Sequence, residues 1–66
     1  MVIKGQNGHN YEVYELEMNN CAIRCKDATD RRKKHTLGVY GDIKRTCDVF
    51  AEIAVQKIGY YEMPQE

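Results

Sequence analysis

Gly41-Asp42-Ile43-Lys44-Arg45-Thr46-Cys47-Asp48-Val49-Phe50-Ala51-Glu52-Ile53-Ala54-Val55-Gln56-Lys57-Ile58-Gly59 is the stretch that decides the fold. Ile43, Cys47, Phe50, Ala54 and Ile58 fall at i, i+4, i+7, i+11 and i+15, and Val49 and Ile53 widen the same stripe. That is the period of an amphipathic helix. Asp42 suits the N-cap, where a carboxylate accepts from the free amides of the first turn. Gly59 suits the position just past the helix, where the backbone turns left-handed. The expected helix is about 16 residues, or ~24 Å. Lys44, Arg45, Asp48, Glu52 and Gln56 take its polar side. Asp48 and Glu52 form a mildly unfavourable like-charged pair at i, i+4. Cys47, near the middle of the stripe, reads as a small core residue.

Upstream of Gly41 the period is two. Residues 1–6 carry Val2 and Ile3 and read as a strand. Asn7-Gly8 then reaches positive φ at low cost and turns the chain. The returning strand, residues 9–18, changes phase between Val13 and Tyr14, so a bulge or break is expected there. Asn19-Asn20 makes the next turn. Cys21, Ile23 and Cys25 share one face of a third strand, and Arg24 and Lys26 point to solvent. Residues 27–32 are polar and form a loop. Residues 33–40 make the last clear strand, in which Leu37 and Val39 share a face, Tyr40 takes the other, and Gly38 marks a bulge or a close backbone approach. The tail Tyr60, Tyr61, Met63 and Pro64 is apolar and packs back on the body or adds an edge strand. The expected architecture is α+β: a small antiparallel sheet of about four strands covered on one face by one C-terminal helix, a single domain over residues 1–66.

A chain of 66 residues buries only about 60% of the surface its unfolded form exposes, so disulfides, a metal or oligomerisation often add to such a core. Three cysteines do not make a disulfide framework. Met1-Val2-Ile3-Lys4-Gly5 lacks a charged leader and a long apolar run, and no stretch approaches the ~20 residues that span a bilayer. The expected setting is the cytoplasm, with reduced thiols. Net charge is zero, which argues against a dedicated polyanion binder. The charge is nonetheless uneven, with eight basic and three acidic side chains in residues 21–47 and acidic ends.

Val2-Ile3, Gln6-Asn7-Gly8, Leu37-Gly38-Val39-Tyr40, the helix residues Thr46, Val49, Phe50 and Ile53, and Tyr61-Glu62-Met63-Pro64 together resemble a set of short uncharacterised proteins of Gram-positive bacteria and their phages. Thr46 stands where alanine is commoner in that set. The resemblance implies a fold and a phage or prophage setting, and implies no chemistry.

Cys21-x₃-Cys25 formally fits the spacing of a zinc pair. On an extended strand, however, their Cα atoms stand ~13 Å apart, too far for one ion, or for a disulfide that needs ~7 Å. No metal or cofactor is expected. No cysteine has a signature around it that would lower its pKa for catalysis. Glu12, Glu15 and Glu17 lie on a strand facing water, and the chain is read as non-enzymatic. Two binding features remain. Tyr60, Tyr61 and Met63 are candidates for a protein interface, because aromatic residues with polar tips favour interfaces and a tail is easily shared in a homodimer. Arg31, Arg32, Lys33 and Lys34, followed by His35, are candidates for phosphate contact, with Arg24, Lys26, Lys44 and Arg45 able to extend them. The expected function is a small protein-interaction module of phage or prophage origin. The alternative is a weak nucleic-acid binder using residues 31–35.

Overall fold

The computed structural model describes residues 1–56 and 59–66. Its strands are β1 (Val2–Lys4), β2 (Asn10–Asn19), β3 (Ala22–Asp27), β4 (Lys34–Val39) and β5 (Tyr60–Glu62), and its helix is α1 (Ile43–Ala54), between β4 and β5. The first four strands form an antiparallel meander. At the first turn Gly8 takes a φ of 86°, and Asn7 Oδ1 accepts the His9 amide at 3.0 Å. Asn20, with φ 55°, closes the second turn in the left-handed region that asparagine tolerates.

The phase change in β2 is a bulge. Its register against β3 shifts between Val13 and Glu15 and leaves Tyr14 as the extra residue. Tyr11 and Val13 therefore pack against the same core as Leu16, and one 10-residue strand serves two partners, β1 through its first half and β3 through its second. A second bulge lies between β3 and β4. Ile23 pairs with Gly38 and Arg24 with Thr36, so Leu37 is unmatched and turns inward.

The α+β class is as expected, but the sheet has five strands in the order β4-β3-β2-β1-β5. It is mixed rather than antiparallel, because β5 runs parallel to β1 with Tyr61 opposite Ile3. The physical reason is α1, which carries the chain from one sheet edge to the other so that the apolar tail enters beside β1 in the same direction.

α1 covers one face. Asp42 caps it, its Oδ1 accepting the Arg45 amide at 2.7 Å. The helix is 12 residues long and ends at Ala54 with Val55 as C-cap, so the expected run to Gly59 is not reached. Ile58, expected to close the stripe, lies outside the described residues. The inward row also differs from the expected one. Thr46, Val49 and Ile53 are buried, whereas Ile43 is 55% exposed and Cys47 and Ala54 are exposed too. Cys47 is thus not a core residue. The cause is polar anchoring on the opposite flank. The Thr46 hydroxyl donates to the Asp42 carbonyl at 2.8 Å, which makes its burial cheap. Arg45 meets Glu66 at 3.0 Å, and Glu52 accepts from the Tyr61 hydroxyl at 2.6 Å. These bonds roll the helix toward the C-terminal tail. The like charges of Asp48 and Glu52 are also eased, since Lys44 pairs with Asp48 at 3.3 Å and Glu52 is held by Tyr61. No described helix is long and apolar enough to cross a membrane.

Candidate interaction surface

The tail residues separate. Tyr61 and Met63 are 6% and 1% exposed, inside the core of their own chain, and Tyr60 is 43% exposed on the outer edge of β5. Burial and the bond to Glu52 push the Tyr61 hydroxyl far above the ordinary tyrosine range. The tail reaches the body through one junction. Gln6 donates its amide to the Leu37 carbonyl at 2.8 Å and its Nε2 to the Pro64 carbonyl at 3.1 Å. Its Oε1 accepts the Val39 amide at 2.8 Å, and its carbonyl accepts Gln65 Nε2 at 2.8 Å. Tyr40 donates its hydroxyl to the same Pro64 carbonyl at 3.0 Å. The three short motifs at residues 6–8, 37–40 and 61–64 thus meet in space, and their common role here is to join β1, β4 and the tail. Gln6 also occupies polar groups on the edge of β4, which blunts that edge against another strand.

The basic run is largely engaged by its own chain. The Arg31 guanidinium lies 3.8 Å over the Tyr14 ring. Arg32 pairs with Asp30 at 3.5 Å, Lys34 with Glu17 at 3.2 Å, and Lys26 with Glu15 at 3.2 Å. Lys33 is exposed. Arg24 Nε is buried without a hydrogen-bond partner. Lys44 and Arg45 sit on the helix, each with an acidic partner, so the structure does not gather these cations into one bare patch.

One polar cluster was not foreseen from sequence. His35 Nε2 and Asp27 Oδ2 are 2.9 Å apart, and the Tyr11 ring stacks on His35 with centroids 4.5 Å apart. Asp27 Oδ1 also accepts the Thr29 amide at 2.8 Å, the Thr29 hydroxyl at 2.6 Å and the Asp30 amide at 3.2 Å. These bonds, those from Thr29 first and then that from His35, hold the carboxyl well below the usual carboxylate range. A carboxylate so fully committed to loop donors orders the β3–β4 loop and is a poor proton acceptor. Among the described residues no pocket forms beside it, and no three metal-ligating side chains converge. The signal for this cluster lay in Asp27-x-Thr29-Asp30, an Asx-turn pattern. Because Asp27 binds its proton more weakly folded than unfolded, its contribution is complete above the unfolded value of about 3.9 and is lost as pH falls below it. Acid titration of unfolding should show stability declining below about pH 4, with a shallower decline in Asp27→Asn. An unchanged acid limb in that variant would refute the assignment.

The cysteines also divide. Cys25 is 0% exposed, and burial, with the charge of Asp27 second, pushes its thiol up. Cys21 is half-buried and Cys47 exposed, with its sulfur 3.9 Å from that of Met18. Maleimide labelling of the native protein should modify Cys47 first, Cys21 more slowly and Cys25 only on unfolding. Peptide mapping over time reads that order, and early modification of Cys25 would contradict it.

Cys47 belongs to the surface that the helix register leaves open. At roughly 100° per residue, Ile43, Cys47, Ala51 and Ala54 lie within about 80° of one another around the axis. All four are exposed, and half-buried Phe50 separates this row from the buried one. The apolar arc of α1 is wider than the sheet can cover. Set against protein-family models, curated proteins and solved structures, the chain gives no significant match.

Proposed function

We propose that this chain is a small, non-enzymatic protein-interaction module of the cytoplasm, in a phage or prophage setting. The observation that carries the reading is the exposed row Ile43, Cys47, Ala51 and Ala54. An exposed row of apolar side chains on a stable helix is a groove-and-ridge surface of the kind that partner helices use. The resemblance at residues 6–8, 37–40 and 61–64 supports the phage setting. Nucleic-acid binding through residues 31–35 is the weaker alternative, because Arg31, Arg32 and Lys34 already have partners in the chain.

The test is paired affinity capture with wild type, Ala54→Arg, and Thr36→Arg on β4 as a control for added charge. Proteins lost with Ala54→Arg and kept with Thr36→Arg support the reading. Identical capture by all three ends it. Retention on DNA at low salt that fades when Arg31, Arg32, Lys33 and Lys34 are neutralised would favour the alternative.

A further inference from the structure

Three cations meet two carboxylates on the sheet face turned away from α1, and one cation goes without. Ile23 and Cys25 are buried in the core, so alternation turns Arg24 and Lys26 to the outer face. Glu17 and Glu15 stand directly across from them on β2, and Thr36 and Lys34 on β4. Lys26 takes Glu15 at 3.2 Å. Glu17, the cross-strand neighbour of Arg24, instead reaches over β3 to Lys34 at 3.2 Å. Among the described residues no carboxylate pairs with Arg24, and its Nε is buried without an acceptor. A half-buried guanidinium with an unspent charge is the kind of group that an outside acceptor satisfies.

We propose that Arg24 receives one carboxylate, from a glutamate or aspartate side chain in an acidic segment of a partner protein. The planar guanidinium fork matches a carboxylate, and a charge partly withdrawn from water attracts an anion more strongly than a fully solvated one does. The surroundings select an acid on a hydrocarbon stem. Ala22 and Val39 face each other on the same side of the sheet, one pair along from Arg24 and Thr36. Val39 is 56% exposed, and this apolar ledge suits the methylenes of an acidic side chain whose head meets Arg24. The Thr36 hydroxyl, across from Arg24, adds a second donor. A polyphosphate backbone fits less well, because it would pass the carboxylates of Glu15 and Glu17 as it crossed the site. The site lies on the side of the sheet away from α1, so it is independent of the row of Ile43, Cys47, Ala51 and Ala54.

Nitrogen-15 NMR titration of the full chain tests this. The probes are an acetylated and amidated tetraglutamate peptide and, separately, inorganic phosphate. The proteins are wild type, Arg24→Gln, Arg24→Lys and Lys33→Gln, the last removing the same charge from an exposed loop position. Wild type should show saturable, salt-sensitive shifts on the peptide at the Arg24 Nε–H and at the amides of Ala22, Thr36 and Val39. Arg24→Gln should weaken binding by roughly tenfold or more, the usual loss for a charged hydrogen bond. Arg24→Lys keeps the charge without the fork and should fall between, and Lys33→Gln should bind as wild type does. Absence of saturable shifts overturns the inference. Equal weakening in Arg24→Gln and Lys33→Gln also overturns it, since diffuse charge would then account for the binding. Phosphate binding at the same resonances as tightly as the peptide assigns Arg24 to phosphate and overturns the choice of carboxylate. If Arg24→Gln loses the wild-type circular dichroism, Arg24→Lys decides, and wild-type affinity there refutes the fork. Capture by Ala54→Arg tests the α1 row separately, so either reading can fail alone.

Discussion

Replacing Gly38 with alanine is expected to destabilise the protein by about 1–3 kcal/mol, the usual cost of forcing an extra carbon into a packed site. A Cβ there would stand 3.0 Å from Met63 Cε, 3.1 Å from the Tyr40 hydroxyl and 3.2 Å from Gln6 Cδ. Met63 Cε can swing away. The Tyr40 hydroxyl and Gln6 are fixed, because both bond the Pro64 carbonyl. The added methyl therefore pushes the tail off the junction as well as crowding the core. Gln6→Ala removes the bond to the Pro64 carbonyl and the one from the Val39 amide and should cost about 2 kcal/mol, at roughly 1 kcal/mol for each. For a domain of this size, 1 kcal/mol moves the melting temperature by about 4–8 °C, so either variant is easily read by thermal unfolding. If the two residues act as one junction, the double variant loses less than the sum of the singles. Strict additivity, or a Gly38→Ala variant as stable as wild type, would show that the junction is not a unit.

The parts of this fold that were legible in sequence are those governed by local rules. The Asn7-Gly8 turn, the β2 bulge, the Asp42 cap and the shared inward face of Ile23 and Cys25 follow from φ preferences, alternation and capping. Alternation sets Leu37 with Val39 and opposite Tyr40, whereas the bulge at Leu37 buries Leu37 and Tyr40 and exposes Val39. What escaped is tertiary. Pairing β5 to β1 requires knowing that Gln6 bonds Pro64, 58 positions away. The Asp27–His35 contact depends on strand register across a bulged sheet. Ile43, Cys47 and Ala54 fall in the stripe that periodicity sets inward, yet the structure exposes all three, and Ala51, outside that stripe, joins them. Periodicity locates an apolar arc on a helix without saying which half of a wide arc meets the sheet. Tyr61 and Met63 read as interface residues because a terminal apolar tail has no local partner, whereas the structure buries both inside their own chain.

Which half of the arc is buried makes the sharpest contrast between two isoleucines on α1. Ile53 is 3% exposed, among Val49 and Tyr61 in the core cluster. Ile53→Ala should cost about 2–5 kcal/mol, the range for emptying a buried isoleucine site. A small domain has only a few kcal/mol in hand, so this one change should leave a large unfolded fraction at room temperature. Ile43 begins the same helix and belonged to the stripe expected from periodicity, yet Ile43→Ala should stay within roughly 0.5 kcal/mol of wild type, the range for surface positions. Alanine's better helix propensity offsets part of whatever packing is lost there. Denaturant unfolding of the two variants at one protein concentration reads the contrast directly. Equal losses at the two sites would mean that both rows are covered within one chain, which would undo the helix register and the open surface together. A loss at Ile53 alone fixes the register, and it sets Ile43, Cys47, Ala51 and Ala54 on the outer side of the helix.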